Sequence, residues 1–243
     1  MIVYSIFLIL LIAIIVYSAA TGAASYKILV SATNTLVRQK IYRSWIRESW
    51  VLFGIPSLVG VLLVLQAGES LQLPINYPEL QGFGWGAALG AVGVLVFTIA
   101  LNWRQSTTLS RGDKDKTREL INKSGSGGLI AKNSQERKLA GWLSLAAGIT
   151  EELFFRLVLP LALVLVFGVE WVIPILVVSV LLFGAAHAYQ GLSGVVATSI
   201  VGAVFMLIFV STGSILLIIL IHILIDIRAT VALSWMAYGR QTA

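Results

Sequence analysis

Long runs of apolar residues recur along the whole chain and are separated by shorter polar segments. Seven of them approach the ~20 residues that a helix needs to cross the hydrocarbon layer of a bilayer. They cover roughly residues 1 to 20, 50 to 68, 83 to 103, 139 to 168, 171 to 188, 193 to 212 and 214 to 236. The pattern predicts an all-α, polytopic membrane protein with seven transmembrane helices, with eight as the alternative count.

The composition agrees with this fold class. Of the 243 residues, 58% are hydrophobic and 12% are charged, which is about half the charged fraction of a typical soluble domain. Cysteine is absent, which excludes disulfides, cysteine nucleophiles and thiolate metal sites. No positive charge precedes the first span, so we expect it to be retained rather than removed as a secretory signal.

The charged loops predict how the chain is oriented. Segment 21 to 49 carries five basic residues against one acidic, segment 104 to 138 carries nine against four, and segment 69 to 82 carries two acidic residues and no basic ones. Because positively charged loops stay in the cytoplasm, the amino terminus is expected outside and the carboxyl terminus inside. The net charge of +6 therefore reflects topology and gives no argument for binding nucleic acid. The short loops favour a bacterial inner membrane.

Two segments outside the spans have their own patterns. Val37, Ile41 and Trp45 recur every four residues among basic side chains, which is typical of a helix lying on an anionic membrane surface, with a solvated basic loop as the equal alternative. The Gly- and Ser-rich stretch 123 to 128 predicts a flexible module boundary. The chain is thus divided into amino-terminal transmembrane helices with an interfacial segment (1–103), a basic cytoplasmic loop (104–138), a carboxyl-terminal core of four spans (139–236) and a cytoplasmic tail (237–243).

Ionisable residues are concentrated in the last four spans. The first three contain almost none, and the last four contain Glu151, Glu152, Arg156, His187, His222, Asp226 and Arg228. A charge at the centre of a membrane helix costs on the order of 3 kcal/mol to insert, and such residues usually face a polar cavity and mark function. The asymmetry predicts that the last four spans carry the functional site.

The acidic pair on the fourth span predicts a general base. Glu152 and Arg156 are four residues apart, share one helical face and are expected to form an ion pair. Glu151 is turned away by roughly 100° and has no local counter-charge, which suits a base acting on water. A purely structural link between helices and a proton or ion relay are the alternatives.

Both histidines of the chain lie in apolar spans. A lone histidine in such a place is usually a satisfied core residue, but His222 and Asp226 share a helical face, and the predicted topology puts His187, His222 and Glu151 in the cytoplasmic half. A cavity that opens toward the basic loops is therefore expected.

Three motifs resemble the signature of the CPBP intramembrane protease family, which includes type II CAAX prenyl endopeptidases and bacteriocin-processing or immunity (Abi-type) proteins. They are Glu-Glu-x-x-Phe-Arg at 151–156, Phe-x-x-x-His at 183–187 and His-x-x-x-Asp at 222–226. Their order and their placement on successive spans make the match fairly specific. The resemblance covers roughly residues 139 to 236.

The resemblance implies an endopeptidase that works inside a helical membrane core, on the cytoplasmic side, on peptide or protein substrates that include lipidated ones. By matching position, Glu151 would activate water together with His187, and His222 with Asp226 would stabilise the oxyanion.

The other matched positions include two departures. Glu152 and Arg156 would support the site. The family commonly has asparagine where this chain has Asp226, and an ionised aspartate cannot donate a hydrogen bond. Asp226 must then be protonated, orient His222 or join a metal site. Leu157 stands where the family often has glycine.

A metal is the open question of cofactor chemistry. The family is often labelled metalloprotease, and Glu151, His187 and His222 with an open position would suit catalytic zinc. The sequence lacks His-Glu-x-x-His, and the resemblance also allows a metal-independent glutamate mechanism, which is slightly favoured.

Three rival functions remain. The strongest is a noncatalytic scaffold or bacteriocin-immunity protein, and a proton-coupled transporter comes next. The third is a serine protease, because Gly-Leu-Ser-Gly at 191–194 is similar to a rhomboid nucleophile motif, with His222 as base. Ser193 is more readily explained as the cap of the sixth span.

Overall fold

A computed structural model describes residues 2–75, 78–123 and 127–239, and this part of the chain is helical without a β-strand. The α-helices are α1 (Ile2–Ser31), α2 (Thr35–Glu48), α3 (Ile55–Gln66), α4 (Pro78–Gln105), α5 (Arg111–Lys123), α6 (Ser134–Glu152), α7 (Leu159–Phe167), α8 (Val172–Ala186), α9 (Gly191–Thr212), α10 (Ile215–Ile227) and α11 (Leu233–Tyr238). Three π-helical turns (Ser49–Gly54, Leu153–Val158 and Arg228–Ala232) join α2 to α3, α6 to α7 and α10 to α11. Short 3-10 turns occupy Gly127–Leu129, Val169–Trp171 and Ala188–Gln190.

The helices confirm the predicted fold class of an all-α, multi-pass membrane protein. Six helical segments of the described chain are long and apolar enough to cross a membrane, by length and composition. They are Ile2–Ser31, Thr35–Gln66, Gln81–Gln105, Val169–Ala186, Ala188–Thr212 and Ile215–Tyr238. Large apolar side chains on their outer faces, such as Ile9, Val94 and Leu207, are exposed, as expected where lipid is the solvent.

Six of the seven predicted spans are among these segments, and the fourth is not. The fourth run forms continuous helix from Ser134 to Phe167 through α6, a π-helical turn and α7. Its centre carries Glu151, Glu152 and Arg156, so it is long enough to cross but too charged to count as an apolar span. Its acids and arginine are instead buried among other helices, as described below.

The amino-terminal half also differs from expectation. The segment predicted to be an interfacial helix or a solvated loop is continuous with the second span, since α2, a π-helical turn and α3 form one helical unit from Thr35 to Gln66. Arg38 is buried, and α2 packs along α6. The alternative of a solvated basic loop is therefore wrong, and α2 is part of the packed bundle.

Two of the π-helical turns precede a proline. Pro56 and Pro160 each lie at the start of the helix that follows the turn. Proline has no backbone N–H to continue the ladder, and its ring clashes with the carbonyl four residues earlier. A wider π-helical turn just before the proline relieves both problems, so each helix continues instead of breaking.

The segment 104–138, predicted to be a basic loop, is largely ordered. It contains α5 and a 3-10 turn, and α6 begins within it at Ser134. Of the Gly- and Ser-rich stretch, residues 124–126 lie outside the described residues, as do residues 240–243 of the predicted tail.

One end of the bundle gathers the segments that were predicted to be cytoplasmic. The carboxyl end of α1 contacts the 3-10 turns at 127–129 and 188–190, where the rings of Tyr26 and Tyr189 lie 5.4 Å apart. At the same end α5 packs on α11, and Arg118 donates to the carbonyl of Ala237 at 3.1 Å. These contacts hold together the segments that were predicted to be cytoplasmic.

Candidate active site

Close helix packing positions the acidic pair of α6 against α10. A Cβ on Gly148 would lie 2.5 Å from the Ile223 side chain, a distance that real Cβ atoms essentially never show, and a tight 3.2 Å from its backbone nitrogen. Glycine therefore lets α6 and α10 approach closely, one turn before Glu151 and Glu152. Gly184 performs the same role between α8 and α9, because its Cβ would lie 3.0 Å from the carbonyl of Val195.

Glu152 lies at the buried centre of the site. Its Oε1 is 2.7 Å from Nδ1 of His222, and its Oε2 is 3.2 Å from Nε of Arg156. The ion pair predicted from the four-residue spacing is thus present. The Arg156 guanidinium also stacks over the Phe183 ring at 4.2 Å, a cation–π contact in a desolvated environment. Glu152 links a charged arginine to a histidine of another helix.

Glu151 faces His187 rather than Arg156. Oε2 of Glu151 lies 3.8 Å from Nε2 of His187 and accepts no hydrogen bond from any described residue. Nδ1 of His187 is 2.9 Å from the carbonyl oxygen of Phe183. A carbonyl can only accept, so Nδ1 carries the hydrogen and the neutral ring turns the lone pair of Nε2 toward Glu151. Oε2 of Glu151 and Nε2 of His187 are therefore both acceptors, and a molecule that donates two hydrogen bonds, such as water, would fit between them.

His222 lies between two carboxylates. Oε1 of Glu152 is in hydrogen-bond contact with Nδ1 of His222. On the other side of the ring, Oδ2 of Asp226 lies 3.7 Å from Nε2 of His222, which is beyond hydrogen-bond distance but within the range of a charge interaction. The Asp226 side chain is one-third exposed, whereas Glu152 is fully buried. Nε2 of His222 and the Asp226 carboxyl group consequently remain accessible from the cavity side.

These side chains border one cavity of about 300 Å³. Glu151, His187, His222 and Asp226 all line it, and Glu152 and Arg156 lie behind its wall. The four residues that were predicted to carry the chemistry thus line one cavity. Behind them, Glu152 contacts His222, and Arg156 pairs with Glu152.

Part of the cavity wall was not predicted from the sequence, and most of this part comes from the amino-terminal half. Trp45 and Glu48 of α2 and Tyr189 of the 188–190 turn line the cavity, together with polar residues of α1 (Ser18 and Thr21). The three-residue spacing from Tyr42 to Trp45 to Glu48 marks one helical face, and this signal was available in the sequence.

Ser193 does not lie in the cavity wall. It is exposed in the first turn of α9 and is absent from the lining. The prediction that it caps this helix is wrong, because Gln190 is the N-cap residue and no side-chain cap is present there.

The arrangement of the acidic and histidine side chains also bears on metal binding. Within the described ranges, no group of three or more His, Cys, Asp and Glu side chains is arranged to hold one. In this arrangement Glu151, His187 and His222 do not form the ligand set that catalytic zinc requires.

Comparison with known proteins gives the class of the domain. Residues 136–228 match the family model of type II CAAX prenyl endopeptidase Rce1-like proteins. No curated protein and no solved structure matches the chain. The matched segment runs from the first turn of α6 to the end of α10. It includes the six residues that were predicted to carry or support the chemistry: Glu151, Glu152, Arg156, His187, His222 and Asp226.

Residues 136–228 therefore form a domain that is similar to Rce1-like type II CAAX prenyl endopeptidases, in agreement with the predicted resemblance to the CPBP family. This similarity supports an intramembrane endopeptidase function of the CAAX-protease kind for this multi-pass membrane protein, with a protein or peptide as the substrate.

Proposed function

We propose that this protein is an intramembrane endopeptidase in which Glu151 activates water for attack on a peptide bond. The supporting observation is the cavity-facing Glu151 carboxyl group, which lies 3.8 Å from the lone-pair nitrogen of His187 in the wall of a cavity of about 300 Å³. A carboxylate without a fixed hydrogen-bond donor is free to accept a proton from water.

The first step is proton transfer. A water held between Glu151 and Nε2 of His187 gives one proton to the carboxylate while its oxygen attacks the scissile carbonyl carbon. A tetrahedral intermediate forms, and the carbonyl oxygen takes the negative charge. His187 accepts the second hydrogen of the water as a hydrogen bond, which aims the attacking lone pair. The link between Phe183 and Nδ1 keeps His187 in the tautomer that does this.

Stabilisation of the oxyanion and protonation of the leaving group complete the reaction. His222 donates Nδ1–H to Glu152 and turns Nε2 to the cavity, where the protonated ring donates to the oxyanion. Arg156 offsets the charge of Glu152 and keeps this carboxylate available to His222. Glu151 then returns its proton to the departing amine, so that the carbon–nitrogen bond breaks and the two products are a carboxylic acid and an amine.

The proposed substrate side is the cytoplasm. Leu129 and Tyr189, from segments predicted to be cytoplasmic, line the cavity, and positively charged loops remain cytoplasmic. With the amino terminus outside and the carboxyl terminus inside, a peptide segment of a membrane-associated protein, lipidated or not, reaches the cavity from the cytoplasmic face. The bacterial inner membrane is the proposed location.

The proposal is tested by peptide cleavage with purified protein in detergent or lipid nanodiscs. We expect cleavage that continues in the presence of a zinc chelator, with less than about a twofold change in rate, because the described side chains supply base and oxyanion donor without a metal. Protein carrying Glu151→Gln controls for contaminating proteases.

Other results of this assay would contradict the proposal in distinct ways. Loss of activity on chelation, restored by added zinc, would replace the glutamate mechanism with a metal-dependent one. Absence of cleavage together with preserved biological function of the Glu151→Gln protein would favour a noncatalytic scaffold or immunity protein. Proton-coupled flux into vesicles would favour a transporter.

Asp226 gives a second, more local prediction. We expect Asp226→Asn to retain cleavage within about threefold, because an amide nitrogen at this position can donate to the oxyanion beside His222. Asp226→Ala leaves neither a donor nor a charge at this position and should lower kcat by roughly tenfold or more. Steady-state kinetics of both variants tests this expectation. An equal fall in kcat for Asp226→Asn and Asp226→Ala would mean that the negative charge itself is needed next to His222.

A further inference from the structure

The cavity wall has a charge character opposite to that of the whole chain. The chain carries a net charge of +6, yet no lysine or arginine of the described chain lines the cavity, whereas three acids do: Glu48, Glu151 and Asp226. Two of these acids belong to the proposed chemistry. Glu48 lies on α2, outside the Rce1-like domain, and the proposed reaction does not use it.

Glu48 has an environment suited to a cation. Its Oε1 accepts the hydroxyl of Ser44 at 2.6 Å, and no described arginine, lysine or histidine pairs with it. Trp45 lies three residues earlier on the same helical face and also lines the cavity, where its ring centre is 6.2 Å from that of Tyr189. Carboxylate and indole side by side are the groups that bind an ammonium or guanidinium through a charged hydrogen bond and a cation–π contact.

The packing of α2 along α6 sets the level of Glu48 in the cavity. Arg38 of α2 pairs with Glu136 of α6, and a Cβ on Gly54 would lie 3.1 Å from Thr150, so the two helical segments run side by side in the same direction. Glu48 therefore lies opposite roughly position 145. With a rise of 1.5 Å per residue this level is ~9 Å from Glu151 along α6, a distance that an extended peptide spans with about three residues.

From these observations we propose that Glu48 and Trp45 form a subsite for a lysine or arginine side chain of the substrate, about three residues from the scissile bond. The inference rests on the proposed peptidase function and assigns a substrate preference to the same cavity. The cation of the substrate then lies toward the cavity entrance, and the peptide bond lies deeper, beside Glu151 and His187. A substrate with aspartate or glutamate at that position is disfavoured, since its charge faces three carboxylates.

A matched peptide series tests this subsite. A peptide that the wild-type protein cleaves is prepared with lysine or with its neutral analogue norleucine at each position within three residues of the cut. We expect kcat/KM to favour lysine by about tenfold or more at one position. Glu48→Gln should reduce this ratio to about one, Glu48→Asp should retain part of it, and Glu48→Lys should reverse it in favour of a glutamate peptide. Glu170→Gln, an exposed acid on the 169–171 turn at the opposite end of the bundle, should leave the ratio as in wild type.

A binding measurement separates failure of the subsite from failure of the peptidase. The same lysine and norleucine peptides, labelled with a fluorophore, are bound to Glu151→Gln protein and to the Glu48→Gln/Glu151→Gln double variant, and anisotropy gives Kd. A lysine preference that is equal in both proteins, or absent from both, would overturn the subsite. A preference that depends on Glu48 while no wild-type cleavage can be found would support the subsite and refute the peptidase. Melting curves of each variant show that the compared proteins are folded.

Discussion

Glu151→Gln is expected to lower kcat for peptide cleavage by roughly 10³-fold or more, within the range of general base catalysis or above it. Glutamine keeps the shape of the side chain, but its amide cannot take the proton of the attacking water. The residue sits in the cavity wall opposite His187, so the substitution removes the base without emptying the site. Peptide binding should therefore persist while turnover is lost.

Steady-state kinetics with a melting curve for each protein is the appropriate measurement. Glu170→Gln makes the same chemical change on an exposed acid at the other end of the bundle and should keep wild-type kcat. Substantial turnover by the Glu151→Gln protein, with a normal melting curve, would mean that another group activates the water. Glu152 is a poor substitute, because it is fully buried and already bound to His222 and Arg156.

Local spacing explains which parts of the site could be predicted. Glu152 and Arg156 are one helical turn apart, and their contact depends on little beyond the existence of that helix. The gathering of Glu151, His187 and His222 followed from the cost of intramembrane charge, which forces ionisable side chains away from lipid and into a shared interior. These inferences need only periodicity and polarity.

Contacts between distant segments explain what could not be predicted. The burial of Arg38 depends on Glu136, 98 positions later, and no local pattern distinguishes Arg38 from the exposed Arg43 of the same helix. Of the three π-helical turns in the described residues, two precede a proline and Arg228–Ala232 does not, so the position of proline alone does not predict such a turn. The amino-terminal half was thus given a role in topology alone, although α2 forms part of the cavity wall through Trp45 and Glu48.

Arg38 and Glu136 tie that wall to the Rce1-like domain. Nε of Arg38 donates to Glu136 at 3.0 Å, and its terminal nitrogens donate to the carbonyls of Leu29, Gly128 and Ile130 at 2.7, 3.3 and 3.0 Å. One guanidinium thereby joins α1, α2, α6 and the connection before α6. Because Arg38 and Glu136 are both buried, neither can exchange its partner for water.

Arg38→Met is therefore expected to destabilise the folded protein by ~3–5 kcal/mol, the usual cost of leaving one member of a buried ion pair without its partner. Arg43→Met, an exposed change on the same helix, should alter stability by no more than about 0.5 kcal/mol. Thermal unfolding in detergent gives the comparison, with a fall in the midpoint on the order of 10 °C for the first variant only.

The double variant Arg38→Met/Glu136→Gln distinguishes charge from packing. If the penalty comes from the unpaired buried carboxylate, neutralising Glu136 should recover a large part of the lost stability. If the double variant is as unstable as Arg38→Met, the lost hydrogen bonds to the three carbonyls are responsible. Both variants lose the Arg38–Glu136 link that aligns α2 with α6. The lysine preference that depends on Glu48 should therefore fall more than the rate of cleavage of neutral peptides. Wild-type stability of the Arg38→Met protein would contradict the buried ion pair itself.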